Sequence, residues 1–297
     1  LVSDALSDGT SVTLQTGGKS GDGNGSGNIV ISSPIEVTTK EQGESATEYE
    51  APTLKLIAHK DISINANIIT KGAGGIHINL QANKSGENGS IGFGGWPGNR
   101  VRVITNGGDF KVGDSSKFGA HNLDLSGATI DLRYGVENSG FNGISQSGRL
   151  AVYAGNDVIF GDVQVSGHEE GESAEKIIIS AEADILINND WFFDNNPTNV
   201  SQGNINNGFS TLKLIAGKNI NINARMRSDP ANQNDTRAEH QDRMHFILSA
   251  SGDIEIDGEV LTSGGNFTVE NSNNFSFQNG VIDTRSRYGA GNLLVEA

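Results

Sequence analysis

The sequence has no cysteine and is poor in methionine, proline and apolar residues. Its 297 residues include 2 Met and 5 Pro, and the hydrophobic fraction is 35%, against about 45–50% in ordinary globular domains. Without Cys, disulfides, thiolate metal sites and thiol nucleophiles are excluded. No apolar run approaches the ~20 residues of a spanning helix, so we expect no membrane insertion.

The charge is strongly one-sided. Asp and Glu number 36 against 21 Lys and Arg, which gives a net charge of -15. Because no Lys/Arg cluster interrupts this excess, we expect neither a nucleic-acid partner nor an anionic membrane surface. The chain opens on Leu1 with neither Met nor a charged-then-apolar leader. We therefore expect a mature or excised piece of a longer protein.

Internal repeats are the strongest signal in the chain. Residues 53–68 (TLKLIAHKDISINANI) and 211–226 (TLKLIAGKNININARM) are identical at 11 of 16 positions. The shared pattern is apolar-x-apolar-x-Ala-x-x-Asp/Asn-apolar-x-apolar. Looser copies occupy 149–164, 176–191, 245–260 and 266–281. The Ala position holds Ala58, Ala154, Ala181, Ala216 and Ala250, and the Asp/Asn position holds Asp61, Asp157, Asp184, Asn219, Asp253 and Asn274.

The period of two within each copy indicates extended strands with one apolar face. The Asp or Asn between two strands suits a turn, because its short side chain bonds its own backbone. The preceding Ala suits a tight bend over the interior. One copy has too few apolar residues to form a core, so the copies must stack. The last two copies begin 21 residues apart, a plausible length for one turn of a parallel β-helix.

We therefore predict one all-β domain over residues 1–297, built as a parallel β-helix. It should have roughly 12–14 turns, or fewer if loops take much of the chain, and a length of the order of 60 Å. A two-sheet sandwich is the alternative, but its strands do not normally repeat such a motif. We expect the repeating walls to offer no concavity for a ligand. The predicted core includes Leu54, Leu56, Ile62, Ile64, Leu212, Leu214, Ile220, Ile222, Phe246, Leu248, Ile254 and Ile256.

Polar segments interrupt the repeats and are predicted to be loops extruded from the stack, where insertions cost little. They span 17–28, 38–52, 167–175, 190–209 and 228–243. Four aromatic residues lie outside the alternating frame and are candidates for contact with a partner. They are Trp96, Trp191, Phe192 and Phe193. The alternative for all four is that they cap or plug the core beside a loop.

Candidates for chemistry are weak. Asp22, Asn24 and Ser26 reproduce the first half of a calcium loop, but Ser33 stands where a bidentate Glu is expected. The six His residues show no zinc spacing. The nearest approach to a carboxylate cluster is the set Asp184, Asp190 and Asp194. We predict no catalytic residue, no resident metal and no cofactor, and therefore a protein that is not an enzyme.

The motifs TLKLIAGKNININARM, LSASGDIEIDGEVLTSGGN and DGTSVTLQT…GNIVISSPI resemble the passenger repeats of filamentous-haemagglutinin-like exoproteins. These are the secreted partners of two-partner secretion systems and include high-molecular-weight adhesins. The resemblance implies a right-handed parallel β-helix, export through an outer-membrane transporter, a secreted or cell-surface location, and adherence to host cells or other bacteria. The receptor, a protein or a glycan, is not indicated.

One feature departs from the family. Its amino-terminal secretion domain carries Asn-Pro motifs in a characteristic context, whereas Asn196-Pro197 here lies in a predicted loop. We therefore expect an internal passenger segment. Two other functions stay open: a polysaccharide lyase or hydrolase on the same scaffold, and a spacer that binds nothing. An enzyme would need three or more carboxylates clustered on one face.

Overall fold

A computed structural model describes residues 1–17, 27–39, 51–72, 74–82, 89–95, 99–133, 148–165, 175–193, 210–228, 244–286 and 289–296. One short helix precedes a long series of short strands. The elements are α1 (Val2–Ser7), β1 (Val12–Gln15), β2 (Ile29–Ile31), β3 (Ile35–Thr39), β4 (Thr53–Ala58), β5 (Ile62–Ile64), β6 (Ile68–Gly72), β7 (His77–Ala82), β8 (Ile91–Phe93), β9 (Val101–Ile104), β10 (Phe110–Asp114), β11 (Lys117–Phe118), β12 (Leu123–Asp124), β13 (Ala128–Asp131), β14 (Leu150–Ala154), β15 (Val158–Phe160), β16 (Asp162–Val165), β17 (Glu175–Ala181), β18 (Ile185–Ile187), β19 (Trp191–Phe193), β20 (Ser210–Ala216), β21 (Ile220–Ile222), β22 (Met226–Ser228), β23 (Met244–Ala250), β24 (Ile254–Ile256), β25 (Glu259–Leu261), β26 (Phe267–Asn271), β27 (Phe275–Ser276), β28 (Val281–Asp283), β29 (Arg285–Ser286), β30 (Gly289–Ala290) and β31 (Leu293–Val295).

The strands form three long parallel sheets that the chain visits in rotation. Sheet I has the order β1-β4-β7-β10-β14-β17-β20-β23-β26-β31, sheet II runs from β2 to β27, and sheet III runs from β3 to β28. Three consecutive strands, one in each sheet, make up what we call a triplet. The predicted all-β class with stacked parallel strands is confirmed, and the arrangement is consistent with a parallel β-helix or solenoid.

The number of stacked units is smaller than the 12–14 turns predicted. In the described part of the chain there are nine triplets, followed by β31. The reason is the length of the connections. Equivalent positions lie 21 residues apart between His245 and Asn266 but 42 apart between Ser11 and Thr53. At ~4.8 Å per step, nine steps span about 43 Å rather than 60 Å.

The predicted core is confirmed residue by residue. All twelve of the apolar positions named from the repeats have no solvent-exposed surface, whereas the intervening Lys55 and Lys213 are half-buried. The buried side chains of the three sheets belong to one continuous cluster. Parallel register brings the repeats into columns, for example Ile177, Leu212 and Phe246. Each triplet therefore covers the apolar face of its neighbour.

The Ala position forms a buried column where the chain leaves sheet I. Ala181, Ala216 and Ala250 are direct register partners, and each is at most 4% exposed. The column extends to Ala82 and Ala120, which lie outside the six copies of the sequence pattern. The small methyl side chain of Ala therefore recurs where successive triplets bend over the core.

The Asp/Asn position lies at the connection from sheet I to sheet II, which we call the I–II bend. We expected each side chain to bond its own backbone, and this is wrong. Asp184 Oδ1 accepts the backbone N–H of Asn219 (2.9 Å), and Asn219 Oδ1 accepts the backbone N–H of Asp253 (2.9 Å). Asn274 Nδ2 then donates to Asp253 Oδ1 (2.8 Å). The column is a ladder that joins successive triplets.

The connection from sheet III back to sheet I, the III–I bend, has its own turn. In Thr105-Asn106-Gly107-Gly108, Asn106 (φ 52) and Gly107 (φ 91) both take the left-handed conformation, as in the primed turns that join twisted strands tightly. Thr105 Oγ1 donates to the Gly108 carbonyl at 2.6 Å. The segment Thr262-Ser263-Gly264-Gly265 repeats this geometry, with φ values of 51 and 96.

Several predicted loop boundaries extend into strands. Thr38 and Thr39 belong to β3, Glu175 to β17, residues 191–193 to β19 and Ser228 to β22. The alternation is short at these strand ends, so the polar flanks obscure it. The remainder of the predicted loops lies almost wholly outside the described residues.

The core register makes a direct prediction about stability. Replacing Leu214 with Ala should lower the free energy of unfolding by about 2–5 kcal/mol, because a fully buried side chain leaves a cavity. The matched control Lys213→Ala, one residue earlier on the outer face, should change it by less than about 0.5 kcal/mol. Urea unfolding followed by circular dichroism measures both. Equal sensitivity at the two positions would mean that the register is wrong.

The ladder makes a second prediction. Asn219→Ala removes the acceptor for the Asp253 N–H and the donor to Asp184, so it should lower the free energy of unfolding by about 1 kcal/mol. Asn221→Ala, two residues later on the outer face of β21, is the control and should be close to neutral. A control variant as destabilised as Asn219→Ala in the same urea titration would argue against an inter-triplet role.

Candidate functional site

Trp191, a predicted contact residue, lies inside the protein. Its side chain has no exposed surface, and its indole N–H donates to the Gly161 carbonyl at 3.2 Å. The ring packs edge-on against Phe160, with centroids 4.9 Å apart. The prediction that Trp191 is exposed in a loop is wrong. The alternative, an aromatic side chain that fills the core, holds for this residue because it occupies the inward column of sheet III.

The neighbouring aromatic residues continue the same strand. Phe192 lies in register between Gln164 and Arg227, and Phe193 between Val165 and Ser228. Both therefore belong to sheet III rather than to a loop, and a contact role for them stays a prediction. Trp96 lies outside the described residues, as do the calcium candidates Asp22, Asn24 and Ser26.

Two of the carboxylates considered for catalysis, those of Asp184 and Asp190, accept hydrogen bonds from the next triplet. Asp184 Oδ1 accepts both the backbone N–H and the side-chain Nδ2–H of Asn219, at 2.9 and 3.0 Å. Asp190 Oδ1 accepts the backbone N–H of Arg225 at 3.0 Å, and Asp194 is not among the described residues. Within the described ranges, no three His, Asp or Glu side chains are grouped so that they could hold a metal ion.

Two histidines at the beginning of sheet I strands, His77 in β7 and His245 in β23, each accept a hydrogen bond from the next triplet. The backbone N–H of Asp109 donates to His77 Nδ1 at 2.9 Å, and that of Asn266 donates to His245 Nδ1 at 2.9 Å. Asp109 in turn accepts the backbone N–H of Arg149 at 2.8 Å. These side chains therefore link triplets in the same way as the Asp/Asn ladder.

A shallow groove of about 1010 Å³ lies at the I–II bend of the last triplets. The column Ala181, Ala216 and Ala250 lines it together with Glu182, Glu270 and Glu296, and no Lys or Arg is among the lining residues. The expectation that the repeating walls offer no concavity therefore does not extend to this bend. The register between β23 and β26 shifts between Leu248 and Ser249, and this irregularity lies beside the groove. The sequence pattern does not reveal such a shift.

The fourth triplet has a hairpin at its I–II bend that the repeat pattern does not predict. β11 pairs antiparallel with the end of β10, and Asp114 Oδ1 accepts hydrogen bonds from the Ser116 N–H (2.8 Å) and hydroxyl (2.6 Å). These bonds hold the pKa of Asp114 below its ordinary value. Phe118, which ends β11, is exposed. The run Asp-Ser-Ser-Lys could have indicated a turn at this position, because Asp favours such turns.

The III–I bend receives most of the long insertions. Between a sheet III strand and the next sheet I strand, the chain passes through five segments outside the described residues: 40–50, 134–147, 166–174, 194–209 and 229–243. One insertion at this bend is described. The hairpin β29–β30 leaves the stack where Thr284 and Gly291 exchange hydrogen bonds of 2.8 and 3.0 Å. The insertion points therefore lie along one side of the stack, at the successive III–I bends.

No protein-family model, curated protein or solved structure matches this chain. The part of the chain that is described contains no helix long and apolar enough to cross a membrane. The resemblance to the exoprotein repeats therefore stays a prediction.

The burial of Trp191 makes a third prediction. Trp191→Ala should lower the free energy of unfolding by about 3–5 kcal/mol, because it opens a large cavity beside Phe160. Trp191→Phe keeps most of the packing and loses only the indole hydrogen bond, so the loss should be about 1–3 kcal/mol. Urea unfolding distinguishes the two. A neutral Trp191→Ala variant with reduced binding to cells would instead restore the contact role.

Proposed function

We propose that this chain is an internal segment of a secreted or surface-exposed bacterial adhesin, whose stiff shaft presents loops for attachment to host cells or to other bacteria. We further propose that the three sheets close into a right-handed parallel β-helix. The repeat motifs support the family assignment, and the rotation of the chain through three parallel sheets is what such a helix requires.

The observation that carries the proposal is the placement of the insertions. Five long segments enter at the III–I bend, and successive triplets are ~4.8 Å apart, so the insertion points form a line along the stack. Loops placed in this way would extend from one side of the shaft. The walls themselves are poor sites for attachment, because many polar side chains at the bends already bond to the next triplet.

The proposed mechanism is presentation, in which no covalent bond is made or broken. The receptor is a protein or a glycan on another cell, and the net charge of -15 favours a basic partner and disfavours sulfated glycans. Export would use an outer-membrane transporter, which the lack of Cys suits because the chain can remain unfolded without wrong disulfides. We propose no nucleic-acid partner, no membrane insertion and no enzymatic activity.

A spacer that binds nothing is the second candidate. The observation in its favour is that Trp191, one of the four predicted aromatic anchors, is a core residue. Asp184 and Asp190 likewise bond to neighbouring triplets. A spacer needs stiffness and solubility, and the ladders and the acidic surface supply both.

A fourth prediction separates the adhesin from the spacer. Residues 194–209 are replaced by a short Gly-Ser turn, which leaves strand β19 and Trp191 in place. Because the replacement leaves the described strands β19 and β20 intact, we expect the β-sheet circular dichroism and the melting temperature to be unchanged. Attachment to host cells should fall. A matched replacement of 229–243, at the same bend, tests whether one insertion or several insertions at the III–I bend are responsible.

The outcome against the adhesin is also defined. If both replacements, and the two combined, keep the fold and leave attachment at the level of the parent chain, these insertions do not carry adhesion. If the parent chain does not attach to cells or bacteria at all, the spacer is favoured. A fall in melting temperature would mean that 194–209 contributes to the core.

A further inference from the structure

One exposed aromatic side chain lies on a middle triplet, away from both ends of the stack. Among the side chains that the structure describes, eight large apolar ones are exposed, and seven of them lie at or beyond the first and last triplets. The eighth is Phe118, which ends strand β11 in the hairpin of the fourth triplet and is 37% exposed. Aromatic rings bury well in cores, and this one is instead held at the surface by the hairpin.

The hairpin is an insertion into the repeat at the I–II bend. Val112 pairs with Val152 before the hairpin. The Ala column resumes after it, where Ala120 pairs with Ala154. Seven residues, 113–119, separate Val112 from Ala120, whereas one residue separates their two partners. The hairpin therefore leaves the stacked strands in register and interrupts the repetition of the wall.

The hairpin is fixed at its base and at its tip. At the base, the Gly119 N–H donates to the Tyr153 carbonyl at 2.8 Å, and the Gly119 carbonyl accepts the Ala82 N–H at 2.6 Å. Gly113 has φ 69, and a Cβ at this position would collide with the Gly119 nitrogen. At the tip, Asp114 accepts the two hydrogen bonds described above. A side chain on so rigid a hairpin can bind a ligand with little loss of conformational entropy.

Phe118 and His121 border a space above Gly155. A Cβ added to Gly155 would lie 3.4 Å from Phe118 Cδ2 and 3.7 Å from His121 Nδ1. These are ordinary van der Waals distances, so a group the size of a methyl fits there without a clash. Because Gly155 has no side chain, the space is open. We call this space, with the three residues that border it, the hairpin cleft.

Neutral polar groups stand beside the hairpin cleft. Asn122 follows His121 and Asn156 follows Gly155, and Asn156 Nδ2 donates to Asn122 Oδ1 at 2.8 Å. Within the described ranges, Asn122 Nδ2, Asn156 Oδ1 and the imidazole of His121 make no hydrogen bond, and all three residues are partly exposed. They offer an amide donor, an amide acceptor and an imidazole that, when neutral, both donates and accepts.

The charges near the cleft favour an uncharged ligand. The I–II bends of the fourth and fifth triplets hold two carboxylates, and both already accept hydrogen bonds. Asp114 accepts those of Ser116, while Asp157 accepts the Asp184 N–H at 3.2 Å and the Asn156 Nδ2–H at 3.3 Å. A cation would compete with these bonds, and an anion would be repelled by the net charge of -15.

We infer that the hairpin cleft binds a neutral pyranose ring of a glycan. The ring of Phe118 supplies a flat apolar surface for the C–H face of a sugar, and the amide and imidazole groups match its hydroxyl groups. Small-ligand sites commonly combine an apolar surface with a few placed polar groups in this way.

A protein partner fits the cleft less well. An apolar side chain placed against Phe118 would bury the free amide groups of Asn122 and Asn156 without partners, which costs free energy. The hydroxyl groups of a sugar avoid that cost. The inference rests on the proposed function for its biological role, because it assigns the receptor of the adhesin to a glycan.

The test uses the whole chain and the methyl glycosides of glucose, galactose and mannose, each measured alone by saturation-transfer-difference NMR. We expect saturable binding of at least one glycoside to the parent chain. Phe118→Ala should weaken this binding at least about fivefold, because it removes the aromatic surface. Gly155→Ala should weaken it similarly, because the methyl group fills the cleft, and its φ lies outside the left-handed region, so the fold is retained.

The control is Ser115→Ala, at the exposed tip of the same hairpin, which should bind like the parent chain. Circular dichroism and the melting temperature confirm that each variant is folded. Absence of binding by all three glycosides overturns the inference, as does equal binding by the parent chain, Phe118→Ala and Gly155→Ala.

A cell assay distinguishes this inference from the adhesin proposal. If Phe118→Ala lowers attachment equally on untreated cells and on cells whose surface glycans are oxidised with periodate, the hairpin contacts a protein and the inference is overturned. A parent chain that attaches to cells but binds no glycoside counts against the cleft alone. A parent chain that binds a glycoside through Phe118 but does not attach supports the cleft and counts against the adhesin proposal.

Discussion

Parallel stacking in register is the constraint on which the rest of the structure depends. A single triplet has three short strands, and its inward side chains, such as Leu212, Ile220 and Met226, cover each other only in part. Each becomes fully buried because equivalent side chains of the triplets before and after lie above and below it. A narrow core built from such columns needs few apolar residues, which explains how a chain with 35% hydrophobic residues folds without disulfides.

The same stacking explains why the bends are so polar. Every triplet brings a backbone N–H to the same place, and an unpaired N–H costs free energy. Such an N–H from the next triplet is accepted by Asp184 and Asn219 at the I–II bend, by Asp190 at the connection from sheet II to sheet III, and by His77 at the start of strand β7. The abundance of Asn and Asp is therefore part of the fold, and clusters of these residues in the sequence are poor evidence of catalysis.

The sequence predicted the repeated parts well and the irregular parts poorly. Period two and the fixed Ala identified the inward residues, because a column of Leu214 and Leu248 repeats its environment in every triplet. The placement of Trp191 failed, since strand β19 is only three residues long and entirely aromatic, so it shows no alternation before the polar segment that follows. The groove could not be predicted, because the register shift beside it leaves no mark in the sequence pattern.

Function in a stack of this kind can reside where the repetition is broken. Along the described strands, backbone groups pair with the triplets before and after, and many polar side chains bond to a neighbouring triplet, so little is left to recognise a ligand. The III–I bend accepts insertions because its minimal turn, with Asn106 and Gly107 at positive φ, closes the connection locally through Thr105 and Gly108. A longer segment can replace that turn without changing the strands on either side.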